Sequence, residues 1–513
     1  MNQFNKMKYQ HIFTGFLTFV VLLISSCGKK DAELPEAAPA ISGIEAEYYV
    51  VVRDSIQLTP VIASRVDSIV WVVNGVRVAN ALQYTFQAPV NPAVHSVIIM
   101  AYNSGNVFQK VVQITTGRYR NWEIKAHAVL TLQASSKFAG KNDVKWEVLS
   151  APSHLYRLWP GKDTAQFIAM ERGAYQLLVS SAELTDTLLV TVRQPVQAPS
   201  PYISKVFDYL PAPGQFVNEL PRYDVGDTYE TMVGKVNKQL AGENPVMITL
   251  GGWGGYVVVG FDHTIVNVAG KRDFRIQGNA FGAAANPRPN APFGGSCEPG
   301  IVMVAYDRNK NGKPDEDEWY EIKGSGSFSA ESEPWYSAAV SNKSDVRTFR
   351  NYEMTYNRPA TEMPDSAPVN SFTRISNYIS WADNQGQQGY KIKNAFHAQS
   401  YYPLWVKDNA ITYKGIRLAN NAIDESKQGS YYVLYAFRYG YVDNYPNGHD
   451  NSGIDIDWAI DKNGNKVNLP GIDFVKVYNG TDQENGWLGE ASTEIGRGED
   501  LHLLKADIAT VHP

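Results

Sequence analysis

The chain has 513 residues, with 47 Lys and Arg against 52 Asp and Glu, a formal net charge of −5. No basic surplus points to nucleic acid as a partner, and only two cysteines exclude a disulfide scaffold. The length accommodates three or so domains.

In chain order, the first signal is a basic start, Lys6 and Lys8, followed by the apolar run Ile12 to Ile24. That run is short for a bilayer span and reads as a signal peptide over residues 1–26. It ends at Ile24-Ser25-Ser26-Cys27, which resembles a bacterial lipobox, with Cys27 the lipidated residue; the alternative is an ordinary secretory signal with a chance cysteine. The polar stretch "GKKDAELPEAAPA" makes residues 27–40 a tether. Its charged start resembles the export signal of Bacteroidetes-type surface lipoproteins. The implied address is the outer membrane, lipid-anchored and facing outward, with no other membrane contact. With Cys27 lipidated, Cys297 has no intramolecular partner.

Residues 41–117 read as short alternating strands. "WVVNGVRV" places Asn74-Gly75 between two apolar runs, a strong hairpin signal. Trp71 ahead of that turn suggests an immunoglobulin-like sandwich, and the segment resembles the PKD-like domains of bacterial surface proteins. Residues 118–195 repeat the style around Trp146, so a second sandwich is expected. The pair reads as an adhesion surface or as a stalk; the absence of a charged or aromatic cluster outside core positions favours the stalk.

A linker punctuated by Pro195, Pro199, Pro201, Pro211 and Pro213 leads into residues 196–513, rich in Gly, Asn, Asp, Tyr and Trp. One helix is expected at Thr228 to Leu240, where Tyr229, Met232, Val233 and Val236 keep helical spacing. The rest reads as strands and long loops, so the fold class is all-β.

"DRNKNGKPDEDE" carries the sharpest local chemistry. Asp307, Asn309, Asn311, Gly312, Asp315 and Glu318 match D-x-N-x-N-G-x5-E spacing. One loop then wraps a Ca²⁺ in hard oxygens, with the Lys313 carbonyl adding another. The flanks "GIVMVAY" and "EWYEIKGS" read as strands, which puts the loop at a hairpin tip in a structural role. The alternative is a solvated Asx-rich turn. Asp450, Asp455, Asp457 and Asp461 form a second acidic run, better explained by a capped turn and a hairpin at "KNGNK". "LGGWGGYVVVGFDH" lacks the Lys-Ser/Thr and the helix of a phosphate loop; its glycines point to a bend beside Trp253. No G-x-S-x-G or H-E-x-x-H occurs, so no catalytic residues are assigned. His397 reads as a structural histidine before a metal ligand, and Cys297 as a buried thiol.

"YYVLYAFRYGYVDNYPNG" reads as a strand from Tyr431 to Val442, with Tyr431, Val433, Tyr435, Phe437, Tyr439 and Tyr441 on one face. The early rings are expected in the core and the late ones, with Tyr445, at a rim.

"GGWGGYVVVGFDHTIVN", "DFRIQGNAF" and "EPGIVMVAYDRNKNGKPDEDEWYEIKGS" together resemble a jelly-roll-like β-sandwich of bacterial extracellular proteins. "SWADNQGQQGY", "FHAQSYYPLW", "GIRLANNAIDESKQGSYYVLYAFRYGYVDNYPN" and "IDFVKVYNGTDQENGWLGEASTEIG" are similar to Bacteroidetes surface lipoproteins with PKD-like N-terminal domains, some of which resemble cobalamin-binding lipoproteins. The resemblance implies two tandem Ig/PKD-like sandwiches and a jelly-roll-like head with long loops. It implies non-catalytic capture of cobalamin, as ligand rather than cofactor, and its transfer to an outer-membrane TonB-dependent receptor. A flat, amide-rimmed disc suits an aromatic platform. The ring candidates are Trp253, Trp335, Trp381, Tyr401, Tyr402, Trp405, Tyr439, Tyr441 and Tyr445, with Asn384 and Gln385 as polar partners and His397 as a possible cobalt ligand. The alternatives are a calcium-stabilised carbohydrate- or glycoprotein-binding protein and, third, a calcium-dependent glycan-active enzyme.

Overall fold

Asn74 and Gly75 both adopt positive φ, 48° and 82°, as a two-residue hairpin turn requires. They join Ser68–Val73 to Val76–Ala79 in a computed structural model that describes residues 40–63, 66–103, 106–117, 121–244, 246–283, 290–363 and 366–510. The signal peptide, Cys27 and the tether up to residue 39 lie outside the described residues.

The chain is all-β, in separate packed cores. The first is built on a five-stranded sheet ordered Glu47–Val51, Asn106–Gly117, Val94–Asn103, Ser68–Val73, Val76–Ala79. Trp71 is fully buried in it, its indole N–H donating to the Ala81 carbonyl at 2.8 Å. The second pairs a four-stranded sheet with a three-stranded one around Trp122, Trp146, Phe167 and Tyr175. In both, the opening strand runs parallel to the closing one.

The third module is organised by a central sheet ordered Lys205–Ala212, Gly252–Val266, Gly471–Asn479, Gly300–Ala305, Trp319–Ile322, Ala459–Ile460. Alternation along its strands sorts its side chains onto two faces. Val257, Val259, Val302, Val304, Val475 and Val477 point to one face and are buried. Against them packs the helix Tyr229–Leu240, through Met232, Val236 and Leu240. Thr228 caps that helix by accepting from the Thr231 amide. The opposite face carries Tyr256, Val258, Met303, Glu321 and Lys476. A four-stranded antiparallel sheet, Gln388–Asn394, Thr373–Asp383, Phe349–Asn357, Ala410–Arg417, closes over one end of the module with Tyr352, Tyr356 and Tyr413 packed on Trp253.

The strand expected from Tyr431 to Val442 is interrupted. Tyr432–Tyr435 and Tyr441–Val442 are separate strands on different partners. The Asn444 side chain causes the break: its Oδ1 accepts from the Phe437 amide at 2.8 Å and its Nδ2 donates to the Phe437 carbonyl at 2.6 Å. A side-chain amide thus takes the place of a ladder neighbour.

Both sandwiches lie against the third module. His127 stacks edgewise on His263 at 4.6 Å between ring centroids, and Ile168 and Met170 pack on Val266 and Val268. From the first sandwich, Glu45 faces Lys310 and Arg308 of the Asp307–Glu318 loop. Burial raises its carboxyl, and those cations with Lys110 oppose the rise.

Candidate functional site

The open part of the central sheet is assembled by register. Asp208 pairs with Val258, Val258 with Lys476, Lys476 with Met303 and Met303 with Glu321. Residues directly opposite in antiparallel strands share a face, so this row spans the sheet. The neighbouring row runs Lys205, Gly260, Phe474, Ala305, Trp319.

Two clefts lie along these rows, about 730 Å³ beside the Tyr352 sheet and about 740 Å³ beside Trp319. Met303 and Lys476 line both, so they form one groove. A third cleft of about 620 Å³ shares Lys205 and Phe207 and reaches His127 of the second sandwich and Lys310 of the loop.

Rings and charges alternate in the groove. The Lys476 ammonium sits 4.2 Å from the Tyr256 ring centroid, and Lys205 sits 4.6 Å from that of Phe207. Asp208 accepts from the hydroxyls of Tyr256, at 2.9 Å, and Tyr229. Burial and then Asp208 push the Tyr256 phenol far up, so it stays a donor. Arg350 grips Glu321 through two bonds of 2.8 and 2.7 Å, and Lys414 pairs with Glu353 at 2.8 Å. Asn384 completes the wall.

Most of the rings expected to form a platform are core residues instead. Trp253, Trp335, Tyr401, Tyr402, Trp405 and Tyr441 are at most 5% exposed. Three donate internally: Trp253 to the Ile416 carbonyl, Trp335 to that of Ala436, Tyr402 to that of Asp408. Tyr441 accepts from the Gly326 amide, Tyr401 from that of Asn394, and Trp405 stacks on Tyr209. A buried ring has no face left for a ligand, so these positions are corrected to packing roles. Of the half-buried ones, Trp381 covers Gly389, Tyr439 packs on Trp458 and Tyr445 stacks on Phe293 and His449. Gln385 is exposed and donates to Asn384. His397 lies 3.8 Å from Glu219, its pKa lowered by burial, and lines none of these clefts. Of the expected ligand contacts, Asn384 alone is in the groove.

The residues that do line it stand in alternating apolar stretches of the sequence. Lys476 stands between Val475 and Val477 in "IDFVKVYNG", and Tyr256 opens "YVVVGF". A lysine amid alternating valines marks which side chains point away from the core, and that is the signal the sequence offers for them.

The Asp307–Glu318 loop sits at the tip of a hairpin between Gly300–Ala305 and Trp319–Ile322. Asp307 accepts the Asn311 and Gly312 amides at 3.1 and 2.8 Å, and Gly312 has a φ of 72° that a side chain resists. Asn309 and Asn311 converge on one oxygen of Asp315, at 2.6 and 2.8 Å. Glu318 is buried, which pushes its carboxyl up to about 7. Asp307, Asn309, Asn311, Asp315, Glu318 and the Lys313 carbonyl are all hard oxygen donors on one short loop, a set that fits Ca²⁺.

Elsewhere, Glu298, Asp443 and Glu494 bring ligand oxygens within 4.8 Å of one another, the one such acidic or histidine group among the described residues. Asp443 takes the Asn279, Ala280 and Glu494 amides, and Glu298 takes that of Ser492. Cys297 beside them is fully buried, as expected of a structural thiol, and burial drives its pKa upward.

No family model matches the chain, and no curated protein matches it. Among solved structures, it is similar to fibronectin(III)-like modules of Clostridium thermocellum CbhA, at 10% identity and a TM-score of 0.16, over 30% of this chain and 94% of that one. It is similar to the N-terminal Ig1-2 module of the Drosophila receptor protein tyrosine phosphatase DLAR, at 13% identity and a TM-score of 0.16, over 31% of this chain and all of that one. Titin Ig tandem domains A164-A165 match at 12% identity and a TM-score of 0.12, over 31% and 97%.

Proposed function

We propose that the third module captures a corrinoid without transforming it, holding it in the groove on the open face of the central sheet. The observation that carries this reading is the groove itself, where Tyr256, Phe207 and Trp319 alternate with amide and charged partners across adjoining strands. Rings offer apolar area to the macrocycle, and Asn384, Arg350 and Lys414 offer partners to peripheral amides. The implied setting is a lipid-anchored protein on the outer membrane that passes its cargo to a TonB-dependent receptor, and a Ca²⁺ in the hairpin loop is structural. Titration of the full chain with cyanocobalamin tests the cargo: saturable binding lost in Phe207→Ala or Tyr256→Ala supports it, and no binding up to micromolar concentrations overturns it. Labelling with a fatty acid, abolished by Cys27→Ala, tests the anchor.

A second reading, carbohydrate binding, is favoured by the groove's length and by its paired polar walls at Arg350–Glu321 and Lys414–Glu353. A glycan array separates the two.

A further inference from the structure

The Lys476 ammonium is a half-buried cation with no carboxylate within 4.0 Å among the described residues. It lies over the Tyr256 ring, 4.2 Å from the centroid. The nearby carboxylate, Asp208, is engaged by the hydroxyls of Tyr229 and Tyr256. Of the other cations on the same cleft wall, Arg350 is neutralised by Glu321 and Lys414 by Glu353, while Lys462 is exposed to water. Lys476 is the half-buried charge that register places at the middle of the groove, between Val258 and Met303, without an ion pair to compensate it. Lys205 and Lys313 extend the same unpaired positive edge toward the loop.

A desolvated cation without a partner is costly. Here burial lowers its pKa and Asp208 only partly opposes this. Three ammonium donors aimed into an open groove match an anionic oxygen cluster as a point charge does.

We infer that the cargo of this groove carries an anionic oxygen group that seats on Lys476. This rests on the groove reading above, and in a corrinoid the phosphodiester of the nucleotide tail is the group that would supply it.

The test compares cyanocobalamin, which has that phosphate, with dicyanocobinamide, which lacks it, and inorganic pyrophosphate as a bare anion. Each is titrated into the full chain and into Lys476→Met and Lys476→Arg, after thermal melts establish that both variants are folded. The expected result is cobalamin affinity roughly tenfold to a hundredfold weaker in Lys476→Met, restored by Arg, with cobinamide affinity the same in all three. Binding should also weaken with added salt. Cobalamin affinity unchanged in Lys476→Met overturns the anion seat while leaving the corrinoid reading standing. Pyrophosphate binding that Lys476→Met abolishes, with neither corrinoid bound, keeps the seat and discards the corrinoid. No binding of any probe overturns both.

Discussion

Arg157 of the second sandwich donates through Nη2 to both carboxylate oxygens of Asp457 in the third module, at 2.8 and 2.9 Å across 300 residues of sequence. Both side chains are less than a fifth exposed, and the guanidinium also lies 4.4 Å from the Trp159 ring centroid. Asn267 also donates to Oδ1 of Asp457, at 3.0 Å. Charge-assisted bonds shielded from water couple the two bodies far better than exposed pairs do. Replacing Arg157 by Met should cost about 1–3 kcal/mol at this junction. Limited proteolysis should then cut faster in the proline-rich linker at 195–201. Unchanged cleavage would mean that His127–His263 and the apolar contacts hold the junction alone.

The three clustered carboxylates predict an unusual pH profile. Burial, with the neighbouring carboxylate adding to it, pushes Glu298 up to about 8; burial pushes Asp443 up to about 7 and Glu494 well above its ordinary range. The folded chain therefore keeps protons that the unfolded chain has released. Stability from this cluster is present at acid pH and is lost as pH rises from about 4 to about 8. Urea midpoints should fall across that window. Glu298→Gln keeps an acceptor for the Ser492 amide and a partner for Ser296, and should flatten the slope and raise the midpoint at pH 8. A midpoint that instead climbs with pH would show that another group, or a bound cation, governs the cluster.

Local chemistry was legible and long-range closure was not. Asn74-Gly75, the helix expected at Thr228 to Leu240 and the hairpin-tip loop from Asp307 to Glu318 each depend on residues a few positions apart, and each is where the sequence puts it; the cap at Thr228 was not read from it. The burial of Trp253 depends on Ile416, whose carbonyl accepts its indole N–H across 163 residues. No periodicity encodes that contact. The same sheet decides which stretch of the outer face stays open, so the valine-flanked Lys476 was readable as face-up but not as uncovered. Tyr431 to Val442 alternates well enough for one strand, yet a single amide at Asn444 breaks it.

The hairpin loop should bind Ca²⁺ and transmit its order to the first sandwich. Its cations Arg308 and Lys310 face Glu45, so fixing the loop fixes that contact. At a hundredfold excess over the dissociation constant, Ca²⁺ should stabilise the folded chain by about 2.7 kcal/mol. Calorimetry should show a higher melting temperature with Ca²⁺ than with chelator, and no difference in Asp307→Ala. Equal melting of the unmodified chain in both conditions would dismiss the site.

Two tryptophans separate packing from binding. Trp253 is fully buried against Tyr352, with ring centroids 4.8 Å apart. Trp253→Ala should cost about 3–5 kcal/mol, because it empties an aromatic volume in a close-packed core. Trp319 is half-buried on the wall of the groove, in the row that begins at Lys205. Trp319→Ala should leave the urea midpoint of the third module nearly unchanged and weaken capture of the cargo. The two measurements must be made on the same preparations, since a module unfolded by Trp253→Ala also fails to bind. If Trp319→Ala binds as the parent does while Trp253→Ala folds and does not, the ligand sits beneath the second sheet and not on the open face.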